Sequence, residues 1–246
     1  MRSRVGGVVA ALTCTLFLVV SGIAHGAIIN GGFESGTLSG WSSLGTVGVS
    51  TGQDYGSAGS VAPVSGSYSA QLITTGATAA ELATAMAVSE STLEASNGGV
   101  NATIGSLIWQ SVDAAAGDSF QFRWNFVEQD YLPYDDWAFY GISLNGAPAT
   151  LTKFASLATV GPLSGSTVNG WETLTVTIVD PGTYTFYFGV VNAVDSGLDS
   201  DLWIDGAYVG DAPPVPPDGA TVPEPAVAGL VGLGLAVLGL KRFRKA

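Results

Sequence analysis

The sequence predicts an all-β domain: an antiparallel β-sandwich of jelly-roll type, with one or two short capping helices and a C-terminal hydrophobic helix. Three observations lead there. Phe120, Phe122, Trp124 and Phe126 interleave with Ser119, Gln121, Arg123 and Asn125, the period-two pattern of a half-buried strand. About eight or nine segments of this kind follow one another, separated by Gly, Asn, Asp and Pro, a spacing typical of sandwiches. Only one stretch carries helical spacing instead.

Taken in order, strands are expected near 43–50 and 66–74. Thr78 to Ala95 is rich in Ala, Leu, Glu and Met, and Leu82, Met86 and Leu93 fall near helical intervals. One or two short helices are expected here, ended by Asn97-Gly98-Gly99 and capping an open end of the sandwich. Strands follow near 104–112, 119–126 and 136–144. Leu174, Val176 and Ile178 alternate with threonines; after a Pro181-Gly182 turn, Tyr184, Phe186, Phe188 and Val190 alternate again. A last strand is expected near 201–209. Trp41 and Trp124 are expected in the core.

The two ends have a different character. Arg2 and Arg4 precede an apolar run from Val5 to Val20, and Ala24-His25-Gly26 offers small residues for a signal peptidase. Residues 1–26 are therefore expected to be a signal peptide. The apolar run continues for six residues beyond Cys14, which argues against a lipoprotein cysteine. Residues 27–210 form the expected ectodomain and 211–222 a proline-rich linker, since 211–225 holds six of the eleven prolines. Residues 223–246 combine Pro223-Glu224-Pro225, fifteen apolar residues from Ala226 to Leu240, and Lys241-Arg242-Phe243-Arg244-Lys245. A helix of that length spans ~22 Å at ~1.5 Å per residue. This falls short of a ~30 Å hydrocarbon core unless basic side chains snorkel and the bilayer thins.

This tail resembles the PEP-CTERM sorting signal of exopolysaccharide-producing Gram-negative bacteria, on the motif Pro223, Glu224 and Pro225, the small-residue apolar segment and the basic end. The resemblance implies an exosortase as partner, an inner-membrane intermediate, and a final place at the cell surface or in the extracellular matrix. The plainer alternative is a simple membrane anchor.

Composition excludes much. The only Cys is Cys14 and the only His is His25, both in the expected signal peptide. The remainder has no disulfides, no Cys/His zinc site, no Ser-His-Asp triad and no Cys-His nucleophile. Between residues 27 and 222 Arg123 and Lys153 stand against nineteen acids, a net of −17. Such a surface repels nucleic acid and anionic lipid and attracts divalent cations.

Asn30-Gly31-Gly32-Phe33-Glu34, with Gly40-Trp41, opens the domain, and Leu202-Trp203-Ile204-Asp205-Gly206 closes it. This pair resembles the first and last strands of carbohydrate-binding modules with the galactose-binding-like jelly roll. The resemblance implies that Glu34 and Asp205 lie side by side and supply oxygens to a structural calcium, a hard cation that takes six to eight of them. The alternative is a Glu34 in solvent and an Asp205 that begins a turn. The middle of the chain, from Thr103-Ile104-Gly105-Ser106 through Tyr134-Asp135-Asp136-Trp137 to Val190-Val191-Asn192, is similar to a recurrent ectodomain of PEP-CTERM and related surface-anchored proteins. That likeness implies topology and location, with no reaction.

The remaining acids cluster as Glu128, Asp130, Asp135 and Asp136, then Asp195, Asp199 and Asp201, in loops that a sandwich can bring to one end. Glu128, Asp136 and Asp199 are candidate ligands of a second calcium, although the spacing is not that of an EF-hand. A glycosidase pair and solvated acidic loops are the alternatives. Trp109, Tyr131, Tyr134, Trp137, Tyr187 and Trp203 are candidates for stacking on sugar, with Tyr187 and Trp203 at outward positions of the alternation, while most rings of a sandwich are core. The expected function is an exported, exosortase-sorted, non-enzymatic surface or matrix protein that binds exopolysaccharide. The alternatives are a secreted carboxylate-dependent polysaccharide-active enzyme and a purely structural or adhesive protein.

Overall fold

The computed structural model of the protein describes residues 26–160 and 170–210. The expected signal peptide, linker, sorting motif and C-terminal helix lie outside the described residues, apart from Gly26. Among the described residues, no helix is long and apolar enough to cross a membrane.

The strands are β1 (Ser42–Leu44), β2 (Thr46–Ser50), β3 (Gln53–Asp54), β4 (Ser60–Val61), β5 (Ser69–Ile73), β6 (Ala77–Thr78), β7 (Ala102–Ala114), β8 (Ser119–Val127), β9 (Trp137–Leu144), β10 (Thr150–Ser156), β11 (Glu172–Thr177), β12 (Gly182–Ala193) and β13 (Asp201–Gly210). The helices are α1 (Ala79–Ala85), α2 (Glu90–Ala95) and the one-turn α3 (Leu157–Val160). One sheet runs β1-β7-β12-β9-β10, with β6 also paired to β7; the facing sheet runs β11-β8-β13-β5-β2; β3 and β4 form a separate hairpin. Every ladder is antiparallel. The fold is a β-sandwich, as the alternation predicts.

The core between the sheets is aromatic. Phe120, Phe122 and Phe126 of β8 meet Phe186 and Phe188 of β12, with Leu202 and Ile204 of β13 beside them. Phe120 stacks on Phe186 at 3.7 Å between ring centres, and Phe122 meets Phe188 edge-on at 4.6 Å. Trp41 and Trp124 join this core, as expected. The two ends of the domain meet there: Ala207 N–H donates to the Gly31 carbonyl at 2.9 Å. A Cβ on Gly31 would strike the Ala207 carbonyl oxygen, so only glycine fits at this seam.

Both helices form where the sequence places them. Thr78 caps α1 in a reciprocal capping box with Glu81, and the Ser89 hydroxyl caps α2. Their position differs from expectation. They lie on the outer face of the six-stranded sheet, where Leu82, Met86 and Leu93 pack against Leu107, Trp137, Phe139 and Val191. At one end of this face the outward residues of β7, β9 and β12, Leu107, Trp137, Phe139 and Val191, are apolar, and an apolar outer face needs cover. The strands β10, β6 and the β3–β4 hairpin were not expected. β10 breaks its alternation at a bulge between Lys153 and Ala155.

Candidate functional site

The outer face of the six-stranded sheet is half covered and half open. Cross-strand register aligns Ser42, Trp109, Tyr187, Gly141 and Leu151 in one row. Trp109 and Tyr187 stack with ring centres 6.2 Å apart and planes 28° apart. Gly141 matters here, because a Cβ would lie 3.0 Å from Leu151 Cδ2 and 3.4 Å from the Tyr187 ring. The next row carries hydroxyls: Ser111 and Thr185 share a hydrogen bond at 2.8 Å, and beyond them the Thr183 hydroxyl donates to Asp113 at 2.6 Å. On the other side α1 forms a wall. Between wall and sheet runs a groove of about 410 Å³ lined by Leu44, Ala80, Glu81, Thr84, Ala85 and Trp109. Glu81 accepts from the Thr78 N–H and hydroxyl, each at 2.8 Å, and these bonds hold its carboxyl below the usual range. The groove thus offers an aromatic floor, a fixed anionic acceptor and hydroxyls at its edge.

Tyr187 therefore sits where the alternation places it, on the outward side. It is only 8% exposed, since Trp109 and the packing beneath the helices cover it. Trp109, half-buried, presents the more accessible ring. Nothing local in the sequence separates Trp109 from the other outward rings; its register beside Tyr187 does.

Trp203 is a correction. It does point away from the inter-sheet core, but it is 0% exposed. The segment from Gly52 to Tyr68, with the β3–β4 hairpin, straps the outer face of the five-stranded sheet. Val61, Val127 and Tyr55 enclose the Trp203 ring, and its Nε1–H donates to the Tyr55 hydroxyl at 3.0 Å. β13 fastens this strap at every second residue. Asp201 accepts from the Tyr55 hydroxyl, Trp203 donates to it, and Asp205 Oδ2 accepts from the N–H groups of Val64 and Ser65 at 3.0 and 3.1 Å. Trp171 adds a bond from Nε1 to the Ala62 carbonyl at 2.8 Å.

Glu34 and Asp205 do come together. A Cβ on Gly32 would lie 3.7 Å from Asp205 Oδ1 and 3.8 Å from Glu34 Cγ. Asp205 is not the start of a turn in solvent: burial, with the Glu34 charge adding to it, raises its carboxyl to about 7. Glu34 is exposed and grips the strap, accepting from Ser67 N–H at 2.9 and 3.0 Å and from Tyr68 N–H at 3.0 Å. The positive φ of Gly66 lets the backbone turn against that carboxylate.

The other acidic cluster is also corrected, because its central members are not in solvent. Glu128 at the end of β8 and Asp136 at the start of β9 are 1% and 0% exposed. The Ser200 hydroxyl lies 2.9 Å from Glu128 Oε1 and 2.7 Å from Asp136 Oδ2. Burial raises Glu128 to about 8, with the Asp136 charge adding to it; burial raises Asp136 to about 7. Asp199 does not join them. It is exposed, and its backbone carbonyl accepts from Gln129 Nε2 at 2.8 Å. Among the described residues no group of three acids is placed to hold a metal ion. Trp137, also weighed as a stacking ring, is fully buried, while Tyr131 is exposed beside Tyr134.

No protein-family model and no curated protein matches the chain. Solved structures that share its general shape include a family 61 carbohydrate-binding module in complex with β-1,4-galactotriose, at 15% identity and a TM-score of 0.43, covering 74% of this chain and 96% of that one. Another is the CBM22-1 xylan-binding domain of Paenibacillus barcinonensis Xyn10C, at 16% identity and a TM-score of 0.37, covering 78% and 100%. A third is the C-terminal family 22 module of Clostridium thermocellum Xyn10B, at 12% identity and a TM-score of 0.35, covering 78% and 96%.

Proposed function

We propose that this protein is a non-enzymatic glycan-binding module and that its binding face is the open half of the six-stranded sheet. The observation that carries this reading is the half-exposed Trp109 ring, stacked on Tyr187 at the floor of a groove walled by α1. A flat ring on a sheet face takes the apolar face of a sugar, and nearby hydroxyls and a fixed carboxylate take its OH groups. The acidic balance of the domain favours a neutral polysaccharide over an anionic one. The enzyme reading is weaker, because Glu128 and Asp136 are sealed from solvent and are bonded to interior groups: Asp136 through both oxygens and Glu128 through Oε1.

Export and exosortase-dependent sorting complete the proposal, resting on Arg2, Arg4, the apolar leader, Pro223-Glu224-Pro225 and the basic tail. Calcium at Glu34 and Asp205 is a further part of it. The support is Asp205 Oδ1, a buried carboxylate oxygen with no partner beside the Glu34 side chain. The other three oxygens of the pair accept backbone N–H bonds from the strap. Affinity electrophoresis of the purified chain through neutral polysaccharides tests the main reading. Retardation that disappears in Trp109→Ala supports it; retardation unchanged in that variant sinks it.

A further inference from the structure

At one end of the sandwich the ends of β8, β9 and β12 meet the loop from Val194 to Ser200. Residues 194–199 of that loop are all exposed, and Val194 and Leu198 hold φ of 72° and 46°. A β-branched residue in the left-handed region is strained, so something must hold this loop in place. Its exposed part is tied by Val194 N–H to the Asn101 carbonyl, Asn192 Nδ2 to the Gly197 carbonyl, Gln129 Nε2 to the Asp199 carbonyl, and the Thr103 hydroxyl to the Asp195 carbonyl. Its buried anchor is Ser200, which exchanges bonds with Thr74 and places its hydroxyl between Glu128 and Asp136.

That hydroxyl has one hydrogen and two carboxylates within bonding distance. If both acids are ionised, Ser200 satisfies one and leaves the other facing a bare oxygen at under 3 Å, inside a closed site. The count is completed by one more proton: Glu128 Oε1–H donates to Ser200 Oγ, and Ser200 donates to Asp136 Oδ2. The remaining bonds are compatible with this order. Glu128 Oε1 keeps a lone pair for the Asp130 N–H at 3.0 Å, the Gln129 N–H approaches Ser200 Oγ at 3.4 Å, and Asp136 Oδ1 accepts from Ala193 N–H at 2.8 Å. Glu128 Oε2 has no partner, which costs less in a neutral acid than in an ion. We propose that Glu128, Ser200 and Asp136 form a one-proton lock, which fastens the strained 194–200 loop to the sandwich and releases it when the proton is lost.

The surrounding charges agree with this. Asp130 faces both acids, and Asp195 in turn faces Asp130. Asp135 turns to Ala158 N–H and to Asn97, and Asp201 to Tyr55. Asp199 acts on Asp201. The nearby Lys153 ammonium is engaged by Asn97 at 2.6 Å and by Ser156. Lys153, held in this way, does not take the proton's place. Burial drives both carboxyls upward into the neutral range.

The sign follows from linkage. A closed-state carboxyl raised above its open-state value stabilises the closed loop fully below the open-state pKa, and that stability is lost as pH rises through the closed-state value. Amide hydrogen exchange of the full chain, corrected for intrinsic rates, reads it. Protection of residues 194–200 should fall by up to about tenfold per pH unit between about pH 5 and about pH 8, then level off. Glu128→Gln, which supplies a neutral donor in place of the proton, should flatten that profile while leaving protection high. A flat profile in the wild type, or one that millimolar calcium flattens, would overturn the lock. If Glu128→Gln does not fold, infrared spectroscopy of the wild type decides. A protonated-carboxyl band at neutral pH that persists in Asp205→Asn supports the lock, and its absence there refutes it.

Discussion

The two outer faces of the sandwich begin from the same pattern and end differently. Each bears a tryptophan on a central strand, pointing away from the core: Trp109 on β7 and Trp203 on β13. On the five-stranded sheet the strap from Gly52 to Tyr68 lies flat across the ring, fastened by Asp201, Trp203 and Asp205. On the six-stranded sheet α1 and α2 cover only the rows around Leu107 and Phe139, and Trp109 remains at the margin of the cover. An outward ring is thus structural or available according to what a distant segment lays over it. Strand periodicity decides which side a residue takes; it does not decide whether that side is wet.

The comparison can be broken most sharply by truncating the two rings. Trp203→Ala should destabilise the fold by ~3–5 kcal/mol, the cost of a large cavity under the strap. Trp109→Ala should cost far less in a denaturant titration while weakening glycan binding by about tenfold or more. Equal losses of stability in the two variants would erase the distinction between the faces.

The strap itself comes next. Asp205→Ala leaves the N–H groups of Val64 and Ser65 without their acceptor and should cost ~1–3 kcal/mol. If calcium occupies Asp205 Oδ1 and Glu34, the melting temperature rises with calcium, by an amount equivalent to ~2.7 kcal/mol at one hundred times Kd. Glu34→Ala with Asp205→Ala abolishes the response, and a melting curve indifferent to both chelator and calcium removes the site.

The smallest expected effect is one of pH. Burial raises Asp201 to about 6, above the ordinary ~3.9 of an aspartate. Its contribution to stability is complete below that ordinary value and is lost as pH rises through about 6. Asp201→Asn should therefore reduce the pH slope of stability between about pH 4 and about pH 6, read by denaturant midpoints in the presence of chelator.

Legibility in the sequence followed the range of the interaction. The long strands β7, β8, β9, β12 and β13 were visible because alternation is local. Both helices were visible because their composition, the spacing of Leu82, Met86 and Leu93 and the Asn97-Gly98-Gly99 stop are local; the Thr78 and Ser89 caps were not read. The place of the helices on a sheet face was not visible, since it depends on which outward rows are apolar across four strands. Glu34 and Asp205, far apart in the chain, were named together only by resemblance to known end strands. The Glu128–Asp136 pair was grouped only loosely with its neighbours, because the atom that joins them is the hydroxyl of Ser200, a residue with no local mark of importance. Trp109 was one ring among several until cross-strand register set it beside Tyr187.

The position of β13 has a consequence for the order in which the structure can be made. It is the middle strand of its sheet, between β8 and β5, yet it is the last strand in the described chain. Without it, β11 with β8 and β5 with β2 are two disconnected ribbons, whereas the six-stranded sheet is complete once Ala193 has emerged. A nascent chain halted short of Asp201 would have one sheet and only fragments of the other. Its aromatic core would be open to water and to any chaperone that binds such surfaces. The domain closes in a single late event, when ten residues enter a slot that their neighbours cannot bridge alone.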